Sequence, residues 1–199
     1  MTSTRSTRSR ASGAAAAAVT AALTLTLLSG CGGTDAAAVP DGWGTLDTRS
    51  VSVGYPKDEG YAPQPASARG KSNAAVALKL EKGTRTGMVS VQLDFATGVS
   101  DAGEAAAAAG AGIGLGATRG DTRDVRLAGE ESAREARRID YEFTSTGEDS
   151  TPAKGTRMKG VVVAGVDSKD VPFAIRINAL KDGLSSADLD DFVSSITVK

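Results

Sequence analysis

From Leu46 onward the chain alternates in twos. Val51, Val53 and Tyr55 fall on one side of an extended run, with Ser50, Ser52 and Gly54 on the other, and Pro56 ends it. In NAAVALKLE, Val76, Leu78 and Leu80 alternate with Ala77, Lys79 and Glu81. MVSVQLDF then sets Val89, Val91, Leu93 and Phe95 against Ser90, Gln92 and Asp94. The glycine-rich stretch Lys82 to Gly87 between these runs predicts a hairpin turn. Alternation of this kind suits antiparallel strands with one face in water.

The period changes at Asp101. Asp101 and Glu104 form a capping pair, and EAAAAAGAG is a strong helix former up to its glycines, so a weakly amphipathic helix is expected from Asp101 to about Gly114. Strands resume with Val125 and Leu127. They continue with Ile139, Tyr141 and Phe143 set against Arg138, Asp140 and Glu142, then with the buried run KGVVVAGV from Lys159 to Val166. The last, PFAIRINAL, turns Phe173, Ile175 and Ile177 inward and Arg176 and Asn178 outward. Gly147 to Gly155 reads as loop. The last element is a helix with Ser185 as N-cap, Asp188 three residues on, and a staple between Leu184 and Leu189. Leu189, Phe192, Val193 and Ile196 form one apolar stripe, which needs a sheet to lie on. The fold class expected is α+β: an antiparallel sheet of about six to seven strands packed with a mid-chain helix and a C-terminal helix.

The N-terminal 30 residues do not fit this pattern. Arg5, Arg8 and Arg10 precede an uncharged alanine- and leucine-rich run that ends at Leu28-Ser29-Gly30-Cys31. This is the layout of a secretory signal peptide. The run is shorter and more alanine-rich than a membrane span of about 20 strongly apolar residues. Leu28 to Cys31 is similar to a bacterial lipobox, in which the cysteine is acylated and becomes the mature N-terminus. Two acyl chains give stable anchoring where one is marginal, at about 0.8 kcal/mol per buried methylene. Cys31 is the only cysteine, so the domain has no internal disulfide to rely on. The organisation expected is a signal peptide over 1–30, a lipidated N-terminus and flexible tether over 31–43, and a single domain over 44–199.

Removing the leader takes the basic residues from 23 to 20 against 24 acids, a net charge of −4, which is no footprint for nucleic acid. Histidine is absent, which excludes Ser-His and Cys-His catalysis and the commonest zinc ligand. GAGIGLG (Gly110 to Gly116) follows a helix instead of opening one after a strand, so it reads as a helix end and not as a phosphate loop. Asp188, Asp190 and Asp191 diverge around one helix and lack a calcium-loop pattern. Thr151-Pro-Ala-Lys154 echoes a Ser-x-x-Lys nucleophile without its companion motifs. No catalytic residue, metal or cofactor is expected. Trp43, Tyr55 and Tyr61 are candidate partner-binding aromatics, with closure of a sheet edge as the competing role for Trp43 and Tyr55.

The order of elements carries a resemblance. It runs through "SVGYP", "GEESAREARRIDYEFT", "KGVVVAGVDSKDVPFAIRINAL" and "SSADLDDFVSSITV" behind a lipobox. This resembles the LpqN-type lipoproteins of high-GC Gram-positive bacteria, which share the PsbP-like α/β sandwich. Members often carry a tryptophan shortly after the Tyr-Pro, where this chain has Tyr61. The resemblance implies a non-catalytic binding or accessory module on the extracytoplasmic face of the cell membrane. Its partner would be an envelope or transport protein or a small envelope molecule. A carboxylate-dependent envelope hydrolase and a structural spacer are the alternatives.

Overall fold

Among the described residues eleven strands divide into two sheets, the expected sheet of seven strands and a second one of four. The structure, a computed structural model, describes residues 36–148 and 150–199. The leader, Cys31 and residues 32–35 of the expected tether lie outside the described residues. The larger sheet contains β3 (Tyr61–Pro63), β4 (Ala75–Glu81), β5 (Thr84–Leu93), β6 (Thr118–Arg126), β8 (Glu135–Thr144), β9 (Arg157–Val166) and β10 (Pro172–Leu180). Their order is β3-β4-β5-β10-β9-β8-β6, antiparallel throughout. The smaller sheet is β1 (Trp43–Asp47), β2 (Val51–Pro56), β11 (Thr197–Val198) and β7 (Ala128–Gly129), with one parallel pair, β11 on β7. The α+β class holds, with a second sheet added.

The expected hairpin is tighter than its glycines suggested. Only Lys82 and Gly83 lie outside the strands, both at positive φ (52° and 82°), which is the backbone of a two-residue primed turn. Two strands escape the alternation reading. β1 begins at Trp43, inside the expected tether. β6 is an edge strand exposed along nearly all its length, reading TRGDTRDVR, so it has almost no apolar side chain to alternate. Charge along a free edge discourages pairing with other chains.

Both faces of the larger sheet carry a packed layer, though α1 covers only part of one, which corrects the expectation of one wet face. On one side α1 (Ala102–Ala111) lies over Ile139, Val162, Ala164 and Ala174 through Ala105, Ala106 and Ala109. Its residues are chosen for size: alanines let the helix approach the strands closely, so a weak apolar moment suffices. Asp101 caps it by accepting from the Glu104 amide at 2.8 Å. On the other side α2 (Ser186–Ser194) and the smaller sheet enclose the main core of Val51, Val53, Val89, Val91, Val161, Val163, Phe173, Ile175 and Ile177. The expected stripe is buried in full, with Phe192 and Ile196 at 0% exposure, and Ser185 with Asp188 forms the capping box. Among the described residues, no helix is long and apolar enough to cross a membrane.

The C-terminal strand ties distant parts together. Lys199 donates its backbone amide to Ser50 at 2.9 Å, and Ser168 in the β9–β10 turn donates to the Lys199 carbonyl. Gly129 makes the parallel pairing with β11 feasible. Its φ is +113°, and any side chain there would run into the backbone of Val198.

Candidate functional site

Two of the three aromatic residues considered as partner anchors, Tyr55 and Tyr61, are core residues. Tyr55 and Tyr61 are 5% and 3% exposed, which removes them as surface anchors, and Trp43 is half-buried. Trp43 and Tyr61 flank Phe192 of α2, with ring centroids 4.8 Å and 6.0 Å away. Tilted ring pairs of this kind fill the space between sheets well. Burial, with the charge of Glu59 adding to it, raises the Tyr61 hydroxyl far above its ordinary range.

The sheet face beyond the C-terminal end of α1 is left open. α1 stops at Ala111 with Gly112 as its C-cap, and Arg176 of β10 reaches up to it, donating to the carbonyls of Gly112 at 3.0 Å and Ala109 at 3.4 Å. Past this point the face carries Asn178, Met158, Phe143 and Met88 at neighbouring register positions. They floor a recess of about 150 Å³, rimmed by Arg85, Thr144, Ser145, Thr146 and Thr151. A second hollow of about 400 Å³ adjoins it at the loop after α1. It shares Phe143, Thr144, Thr146 and Asn178 with the recess and adds Ile113, Leu115 and Tyr141. Leu115 projects fully into solvent above it.

The loop that closes this trench on one side is built from within. Ser145 is buried; its hydroxyl donates to the Pro152 carbonyl at 2.6 Å and its amide to Thr156. The Ser150 carbonyl then accepts from the Arg85 amide at 2.7 Å, pinning the loop to β5. The Thr151 hydroxyl donates to the Glu148 carbonyl, so it serves loop geometry and not the nucleophile motif with Lys154. On the floor, the Tyr141 hydroxyl donates to Asn178 Oδ1, and Tyr141 stacks on Phe143 at 5.8 Å. Burial pushes the Tyr141 hydroxyl up to about 12, against the opposing pull of Arg176 and Asn178.

A second, charged cleft of about 510 Å³ lies between β6, β8 and the start of α2, and Asp140, Glu142 and Asp190 face it. Their partners are cations. Arg138, 5% exposed, donates to Asp140 at 2.8 Å and also to Asp190, tying β8 to α2. Burial alone would lower the Arg138 pKa, but its bonds to the two carboxylates outweigh that and hold the guanidinium charged. Glu142 accepts from Lys181 at 2.6 Å and from Arg157 at 3.2 Å, which keeps its carboxyl below the usual range. The acids of the α2 sequence therefore part company: Asp188 caps the helix, Asp190 binds Arg138, and Asp191 is exposed. Among the described residues no group of His, Cys, Asp and Glu could hold a metal ion. GAGIGLG is the helix end and the loop over the trench, with Ile113 buried and Gly116 at positive φ.

Sequence reasoning missed the trench because its floor comes from four strands, β5, β8, β9 and β10, of which β5 is far from the others in the chain.

No family model matches this chain, and no curated protein matches it. Among solved structures, one is a protein from Bacteroides thetaiotaomicron VPI-5482. It is similar over 75% of this chain at 10% identity and a TM-score of 0.42. The match spans 45% of that protein's chain.

Proposed function

We propose that this chain is a lipoprotein held through Cys31 on the extracytoplasmic face of the membrane, and that its domain is a non-catalytic binding module of the LpqN type on a PsbP-like sandwich. The trench beyond α1 is its binding site. The recess carries this reading: its floor of Met88, Phe143 and Met158 is apolar apart from the Asn178 amide, its rim is hydroxyls and the Arg85 side chain, and its volume of about 150 Å³ suits one ring or short alkyl group. A site of that size grips one group of a larger envelope protein or small envelope molecule. The flexible methionine side chains let the floor adapt to its shape. The acids of the charged cleft are bonded to cations, which suits a structural role better than proton transfer.

Methionine provides the test. The chain has three, and besides Met1 both Met88 and Met158 line the recess. With methyl-labelled methionine, titration with toluene should shift both resonances saturably, and Phe143→Ser should abolish the response. Toluene shifts that avoid both methyls, or survive Phe143→Ser, would refute the site. Anchoring is tested apart from it: Cys31→Ser should yield a chain without lipid that leaves the membrane fraction.

A further inference from the structure

The segment before β1 is not free along its length. The Ala37 amide donates to Thr197 Oγ1 of β11 at 2.9 Å, and the Trp43 amide donates to the Pro40 carbonyl at 3.2 Å. Six residue steps therefore separate Cys31 from the surface of the domain. Fully extended, at up to about 3.6 Å per step, they reach about 22 Å.

Thr197 lies at one end of the strands. Two residues on, Lys199 is bonded to Ser50 in the β1–β2 turn and to Ser168 in the β9–β10 turn. The trench lies at the other end. From Val166 to Met158 β9 runs its eight steps, about 26 Å at about 3.3 Å each. The reach of the anchor is thus shorter than the length of β9 that separates the turn end from the trench.

We propose that the end of the domain formed by the β1–β2 and β9–β10 turns faces the phospholipid headgroups, and that the trench opens away from the membrane. This rests on the anchoring of Cys31 proposed above. The contact is set by reach and not by charge. Arg49 and Lys199 at this end are already paired with Asp94 and Asp47, and Lys169 is followed by Asp170. What the trench binds must then arrive from the envelope side, not by lateral diffusion out of the bilayer.

The test uses the full chain, produced in a bacterium that processes lipoproteins and reconstituted into phosphatidylcholine–phosphatidylglycerol vesicles that carry a headgroup spin-labelled lipid. Lys169→Cys and Leu115→Cys, both at exposed positions, each carry one fluorophore on the new thiol. The mass of the N-terminal peptide reports whether Cys31 carries diacylglycerol. In the lipidated chain, quenching at position 169 should exceed that at 115 by about threefold or more. A Gly/Ser insertion of about 20 residues after Asp35 adds a coil of about 25 Å and should remove the difference. Equal quenching at the two positions, or a difference that survives the insertion, overturns the orientation while the anchor stands. An N-terminal peptide without lipid overturns the anchor and the orientation with it.

Discussion

Tyr141 of β8 lies directly across the ladder from Gly160 of β9, and its ring occupies the space a side chain at 160 would need. A Cβ on Gly160 would come within 2.6 Å of Tyr141 Cζ and 2.7 Å of its hydroxyl. The same relation recurs at the other two tyrosines: Tyr55 covers Gly44 opposite it, and Tyr61 covers Gly87. Every tyrosine in the chain is thus a lid on a bare stretch of backbone. Gly160→Ala should cost about 1–3 kcal/mol through overpacking. It should also break the Tyr141–Asn178 bond on the trench floor. Chemical denaturation, with methyl shifts of Met158, reads both effects.

Titration of the tyrosines offers a second check. The folded Tyr141 pKa is raised from 10.0 to about 12, so folding favours the neutral hydroxyl. That stabilisation is complete below pH 10. It is lost as pH rises from 10 through 12, because the unfolded chain ionises first. Absorbance at 295 nm should show Tyr141 ionising late, and Tyr141→Phe should flatten the fall in melting temperature over that window. A Tyr141 that ionises at its ordinary pKa in the folded protein would contradict this environment.

Core truncation on α2 measures how much this helix contributes. Leu189→Ala should cost about 2–5 kcal/mol and Phe192→Ala about 3–5 kcal/mol. Phe192 is fully buried between Trp43 and Tyr61, so its loss leaves a cavity that two rings border. Urea unfolding gives the values, and losses under about 0.5 kcal/mol would mean the helix covers no core.

The Arg138 network should behave differently from a sealed ion pair. Its partners are wet, with Asp140 at 35% and Asp190 at 66% side-chain exposure. Removing the guanidinium therefore strands no buried carboxylate. Arg138→Met should change stability by no more than about 1 kcal/mol, whereas breaking a pair with a stranded charge costs about 3–5 kcal/mol. A loss in the larger range would place these acids in a drier setting than their exposure indicates.

What the chain declares by itself is whatever depends on neighbours in sequence. The cap of α2, its stripe through Leu189, Phe192, Val193 and Ile196, the Asp101 cap of α1 and the alternation of β2, β5 and β10 all repeat at a helix or strand period, so they are legible in one dimension. The alternation of β4 misleads, because Ala75 and Ala77 enter the main core while Leu80 is 52% exposed. The similarity of Leu28 to Cys31 to a lipobox is equally local as a sequence signal. Only the tertiary structure decided that two sheets enclose the core. β1 and β11 are short, and β6 is polar, so none announces a buried face. It also decided the fate of the aromatics, since the glycine beneath each tyrosine lies on another strand. The trench belongs to the same class. Met88, Phe143, Met158 and Asn178 meet because antiparallel pairing brings β5, β8, β9 and β10 to one register, and α1 is too short to cover them. That register is fixed by long-range hydrogen bonds and packing, which no local period encodes.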